Sequence, residues 1–165
     1  PGTVSESVKF FWNVFKYMKK LNNFTVKFES RSLFLETLTT ENMSTNYLDW
    51  VNNPEVVRYL EIRHTRQTQD TVNEFVRNCF MSSTDLLMGI FTKDDGEHIG
   101  NIKIGPVNWR YMRAEIGLII GEKGRWGKGY GTESIKKVIG VEPELENYKM
   151  LVSNYKLWNL KMKNL

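Results

Sequence analysis

A chain of 165 residues has the length of one domain, enough to bury a core and too little for two ordinary ones. Hydrophobic residues make up 41% and charged residues 25%, which excludes a disordered or fibrous class, and no apolar run approaches the ~20 residues of a membrane-spanning helix. The net charge of +4 is spread along the chain with no basic block interleaved with aromatics, so neither nucleic acid nor a membrane is an expected partner. A modest positive surplus does suit a polyphosphate ligand.

In chain order, residues 5–21 place Val8, Phe11, Trp12, Phe15 and Met18 on one helical face, with Ser5 available as N-cap. Residues 1–22 are read as an N-terminal amphipathic extension and 23–165 as a single domain. Alternation follows over 24–39, in Phe24, Val26 and Phe28 and then Leu33, Leu35 and Leu38, which predicts one long or broken strand. Thr39 or Thr40 then caps a helix over 41–51, stopped by Asn52, Asn53 and Pro54.

A second helix runs over 68–81, where Cys79 follows Phe75 and Val76 at helical spacing and reads as a small buried residue with no catalytic role. As the single cysteine, it excludes a disulfide framework and a thiolate metal cluster, and it fits a reducing cytoplasm. His64 and His98 have no Asp, Glu or Cys at ligand spacing, so both are expected at the surface and no metal is expected.

Residues 86–92 predict a continuous apolar strand, turned by Asp94, Asp95 and Gly96 into a strand over 97–104. After a turn at 105–111, a strand over 113–120 sets Ala114, Ile116, Leu118 and Ile120 on one face and Glu115, Gly117 and Ile119 on the other. Three antiparallel strands in a row are expected. A glycine-rich turn then leads into a helix over 132–139, and a strand over 148–152 and a short helix over 155–163 close the chain.

The strand, glycine-rich turn and helix form the informative unit. Glycines at 127, 129 and 131 strip side chains from a turn opening into a helix, so that several N–H groups can converge on one anion. The helix dipole adds to this cradle, with Lys123, Arg125 and Lys128 as mobile cations around the rim. A ligand-free tight turn needs glycine equally, so spacing alone leaves both readings open. A P-loop fails, because Tyr130 and Gly131 follow Gly129 where Lys and Ser or Thr are required. A dinucleotide fingerprint fails at Thr132, where the third glycine belongs.

Ala114-Glu115-Ile116-Gly117 through Trp126-Gly127-Lys128-Gly129-Tyr130-Gly131-Thr132-Glu133 resembles the coenzyme-A-binding motif of GNAT N-acetyltransferases. In particular it is similar to the branch holding ribosomal-protein N-terminal acetyltransferases, among them the ribosomal-protein-alanine enzymes, and sugar- and drug-modifying relatives. The resemblance covers about 31–140, including Trp50-Val51-Asn52-Asn53-Pro54-Glu55-Val56-Val57-Arg58-Tyr59-Leu60 and Ile99-Gly100-Asn101-Ile102. Trp126 departs from the Gln or Arg that usually opens the motif, although this branch often carries Trp there.

The resemblance implies an α+β acyl-CoA N-acyltransferase fold, a mostly antiparallel mixed sheet flanked by helices, with the last strands missing or replaced by the N-terminal segment or a partner subunit. It implies acetyl-CoA as co-substrate, held by Leu118, Ile119, Ile120, Trp126, Gly127, Lys128, Gly129, Tyr130, Gly131 and Thr132. The acceptor is expected to be a primary amine on a small molecule, such as an amino sugar, or a protein N-terminus. It attacks directly, with Glu115 as candidate base and Tyr155 as candidate acid. Lys161 falls where many members have their proton-donating tyrosine, and Asn101 is a further candidate for contacting acceptor or coenzyme. The alternative is a non-catalytic coenzyme-A-binding module. A sheet edge left open by missing strands would invite a homodimer.

Overall fold

The computed structural model describes residues 25–139 apart from 109 and 112; the readings at 5–21 and 148–163 lie outside the described residues. The strands are β1 (Lys27–Glu29), β2 (Leu33–Thr37), β3 (Leu86–Thr92), β4 (His98–Ile104) and β5 (Ile116–Ile120). The helices are α1 (Tyr47–Asn52), α2 (Pro54–Val57), α3 (Gln69–Met81) and α4 (Tyr130–Ile139), with 3-10 turns at Glu61–His64 and Lys123–Arg125. The strands form one α+β sheet in sequence order, each pair antiparallel.

Alternation gives the sheet two apolar faces, and each is covered. On one, Leu33, Leu35, Met88, Ile90, Ile102 and Ile104 pack with Val138 and Ile139 of α4. On the other, Leu38 and Leu87 lie beneath α1 and α3 through Tyr47, Trp50, Val72, Val76 and Cys79. Cys79 is buried, in keeping with its spacing.

Three elements differ from expectation, each for a local reason. The strand over 24–39 is a hairpin, because Ser30, Arg31 and Ser32 turn the chain and the Glu133 carboxylate accepts from Ser30 Oγ (2.6 Å) and Ser32 N (2.7 Å). Its apolar residues pass from even to odd positions between Phe28 and Leu33, and a continuous strand cannot change parity. The helix over 41–51 starts only at Tyr47: Thr39 Oγ1 accepts from Glu41 N (3.3 Å) and Asn42 N (3.4 Å), while Asn42 Oδ1 accepts from Thr39 N (2.8 Å). These side chains hold turns in place of a helix. The last strand begins at Ile116, preceded by an isolated Asn108–Arg113 bridge.

Asn53 both stops α1 and starts α2, since its side chain accepts from Glu55 N (3.0 Å) and Pro54 follows at the first helical position. Thr68 and Thr71 close a reciprocal capping box on α3.

Candidate active site

Two bonds fix which way β5 offers its main chain. Gly105 N donates to Glu115 O and Gly121 N to Ile99 O, both at 2.8 Å, so residues 115, 117, 119 and 121 spend their main-chain groups on β4. Antiparallel alternation then turns the N–H and C=O of Ile116, Leu118 and Ile120 outward. The Trp126 indole N–H donates to Ile120 O at 2.8 Å and folds the following turn against the end of the strand.

Beyond the 3-10 turn, Gly127 (φ 74°) and Gly129 (φ 81°) occupy the left-handed region. A Cβ built on either meets no atom within 4 Å, so the space above these amides is bare of side chains. The chain then enters α4, whose first-turn N–H groups have no intrahelical acceptor. Gly131 lies inside that helix, and its role is packing: a Cβ there would stand 3.0 Å from Leu118 Cδ2.

The rim cations are less free than the sequence implied. Arg125 is locked by Glu97 (Nε–Oε2 2.9 Å), Asp94 (3.6 Å) and Asp95. Glu97 first, then Asp95, push its pKa further up, and the Thr92 hydroxyl first, with Arg125 behind it, pulls Asp95 below the usual carboxylate range. Lys123 pairs with Glu55 at 2.8 Å. Among the described residues, Lys128 is left beside the turn without a carboxylate within ion-pair distance.

A cleft of about 290 Å³ opens between this strand end and α2, lined by Leu118, Ile119, Ile120 and Trp126 on one side and Glu55, Val56, Arg58, Tyr59 and Leu60 on the other. Tyr59 and Trp126 are exposed aromatics at its mouth. Of the residues expected to hold the coenzyme, Leu118, Ile119, Ile120 and Trp126 line this cleft, while Gly127, Lys128 and Gly129 follow in the turn and Tyr130, Gly131 and Thr132 open α4. Ile119 differs from its neighbours, since its main chain serves β4 and its side chain packs toward α1. Glu115 stands at the opposite end of β5, exposed and outside the cleft lining. Tyr155 and Lys161 lie outside the described residues.

His98 is not at the surface. It is 7% exposed, with Nδ1 accepting from Ser44 N (3.0 Å) and Nε2 paired to Asn101 Oδ1 (2.9 Å), between the rings of Phe91 and Trp50. The register explains this: Ile90 faces Gly100 and Phe91 faces His98, so Ile99 is an extra residue in the ladder. That bulge puts residues three apart on one face. Asn101 is 2% exposed, and its Nδ2 has no hydrogen-bond partner among the described residues. His64 is exposed, as expected.

Among the described residues, no group of three or more His, Cys, Asp or Glu is placed to hold a metal, and no helix is long and apolar enough to cross a membrane.

A five-stranded antiparallel meander whose last strand turns its main chain outward and runs through bare left-handed glycines into a helix has the architecture of an acyl-CoA N-acyltransferase domain. The model of the acetyltransferase (GNAT) domain matches residues 32–165, and the chain belongs to that family. An uncharacterized N-acetyltransferase, p20, of Bacillus licheniformis is 27% identical over 115 residues, 66% of this chain and 64% of that protein. The match therefore spans less than two thirds of that relative's length. A GNAT-family acetyltransferase from Bacillus anthracis shares the fold with a TM-score of 0.57 at 14% identity, over 69% of this chain and 64% of its own. A GCN5-related N-acetyltransferase from Brucella melitensis does so at 0.55 and 18%, over 70% and 55%.

Proposed function

We propose that this domain is an acetyl-CoA-dependent N-acetyltransferase that passes the acetyl group to a primary amine by direct attack. One observation carries the reading: bare left-handed glycines at 127 and 129 open α4 at the end of a strand whose main chain faces outward at Leu118 and Ile120. Main-chain amides from Gly127 to Thr132 would hold the pyrophosphate, with Lys128 beside them and the helix dipole behind. Leu118 N–H and C=O, with Ile120 N–H, would bind the pantetheine arm, because Ile120 C=O already accepts from Trp126.

The coenzyme supplies a thioester; the protein must position it, accept the amine unprotonated and stabilise the developing oxyanion. The outward N–H groups near the end of β5 are the donors best placed for the oxyanion. Glu115 is the proposed base, acting through water, since ~3.3 Å per residue puts it roughly 10 Å from Leu118 along the strand. Tyr155 is the proposed acid. The nature of the family favours a soluble cytoplasmic enzyme, and no metal enters this scheme.

The test combines binding and turnover. Coenzyme A at a hundred times its dissociation constant should stabilise the chain by about 2.7 kcal/mol, and acetyl-CoA should release thiol with some member of a panel of amino sugars, polyamines and peptides. Stabilisation without turnover on any amine would support a non-catalytic coenzyme-binding module. No stabilisation would remove the coenzyme from the account altogether.

A further inference from the structure

Behind the thioester cleft lies a second concavity, about 720 Å³, framed by the end of α1, by α2 and by the 3-10 turn Glu61–His64 with the residues after it. Its floor includes Val51, Val57 and Ile62, its walls carry Arg58, Arg63, His64 and Arg66, and no carboxylate lines it. Three arginines lining one hollow with no carboxylate in its wall give it a positive potential that suits an anion. Two acids stand outside it: Glu61, 94% exposed, pairs with Arg63 at 3.9 Å, and Glu55, whose carboxylate feels the charge of Arg58, is engaged by Lys123 at 2.8 Å.

The guanidiniums are held without being used up. Arg63 gives one N–H to Leu60 O (2.9 Å), and Arg58 lies over the Tyr59 ring at 4.5 Å, which leaves the edge of its fork open. The wall itself is tied to α1: Asn52 Oδ1 accepts from Gln67 N (2.8 Å), and Asn52 Nδ2 donates to Gln67 O (3.0 Å). The hollow is therefore built before a ligand arrives.

We infer that this hollow is a phosphoryl-binding subsite that holds the anionic end of the amine acceptor. This rests on the acetyl-transfer reading and adds a substrate class to it. Arginine forks match phosphoryl oxygens two at a time, and three of them suit more than one negative charge. The volume falls in the ~300–1,000 Å³ range of small-molecule pockets, which favours a compact phosphorylated amine over a flat protein surface. Arg58 lines both this hollow and the cleft beside Leu118, Ile119 and Ile120, so an anion seated here directs its attached amine toward the strand that presents the thioester.

Inorganic pyrophosphate is the probe, titrated calorimetrically into the full chain, alone and saturated with coenzyme A. The wild-type complex should bind it, and the R63Q/R66Q double variant should bind it at least ten-fold more weakly with unchanged affinity for coenzyme A. Arg66→Gln alone serves if the double variant folds poorly. In the thiol-release assay at saturating acetyl-CoA, pyrophosphate should raise the KM for the amine in wild type and should do so far more weakly in the R63Q/R66Q variant. Equal pyrophosphate binding by wild type and variant, or none by wild type, overturns the subsite. Failure of coenzyme A to bind would overturn the acetyl-transfer reading alone, since the same titrations on the uncomplexed proteins still decide whether the hollow takes the anion.

Discussion

At residue scale, the consequential group that sequence spacing misplaced is His98. An imidazole whose Nδ1 accepts from the Ser44 N–H must carry its proton on Nε2, where Asn101 Oδ1 accepts it. The ring is thus held neutral. Burial pushes its pKa below the ordinary histidine value; the Asn101 bond and the charge of Glu122 oppose this without reversing it. A depressed folded pKa means that the unfolded chain binds the proton first as pH falls. His98 therefore contributes stability that is full above the unfolded value, ~6.5, and is lost on acidification below it, with a slope of at most about 1.4 kcal/mol per pH unit. His98→Phe keeps a ring between Phe91 and Trp50 but leaves the Ser44 N–H and Asn101 Oδ1 unpaired. It should cost about 1–3 kcal/mol at pH 7.5, and between pH 7 and pH 5 its stability should fall less steeply than wild type in urea titrations. A parallel decline in both proteins would mean that the acid sensitivity resides elsewhere.

At the scale of elements, glycines set how closely neighbouring pieces approach. A Cβ on Gly121 would lie 1.9 Å from Trp50 Cδ2, so the indole of α1 seats directly on the backbone leaving β5, its Nε1 donating to Glu122 Oε1 at 2.9 Å. Gly121→Ala must displace that ring and should cost about 1–3 kcal/mol in chemical denaturation. Gly129→Ala is the opposite case. Its methyl meets no protein atom, so stability should drop only by the left-handed penalty of about 1–2 kcal/mol. The same methyl enters the space proposed for the pyrophosphate, and coenzyme A affinity should fall at least ten-fold by calorimetry. Unchanged affinity would place the coenzyme elsewhere. The helix at Gln69–Met81, the strand Leu86–Thr92 and the glycine turn were legible because each is set by neighbours in sequence: a cap with 3.6-residue spacing, a continuous apolar run, and residues tolerant of positive φ. The bulge at Ile99 and the Arg125 cage were not, since they depend on a partner strand and on carboxylates delivered by a distant turn. The arginines of the second hollow were visible as letters, but only α1, α2 and the 3-10 turn make them one surface.

Across the whole molecule, the first hairpin and the last described helix are joined by one side chain. Glu133, in the first turn of α4, reaches across to the Ser30 hydroxyl at 2.6 Å and the Ser32 amide at 2.7 Å, and so closes the sheet's first edge onto the element that follows its fifth strand. That carboxylate also sits at the positive end of the α4 dipole, where it stabilises the helix and repels any anion bound at the same end. Glu133→Gln should expose the two roles with opposite signs. An amide retains one acceptor, so part of the link to Ser30 and Ser32 survives, but the charge-assisted strength is lost and stability should fall by about 1–2 kcal/mol in urea unfolding. Coenzyme A should bind the variant at least as tightly as wild type at low salt, because a negative charge has left the neighbourhood of its pyrophosphate. The gain should fade as ionic strength shortens the Debye length to about 8 Å at 0.15 M. If affinity instead fell together with stability, the N-terminus of α4 would depend on Glu133 for its position, and the glycine turn would not hold the pyrophosphate without that brace.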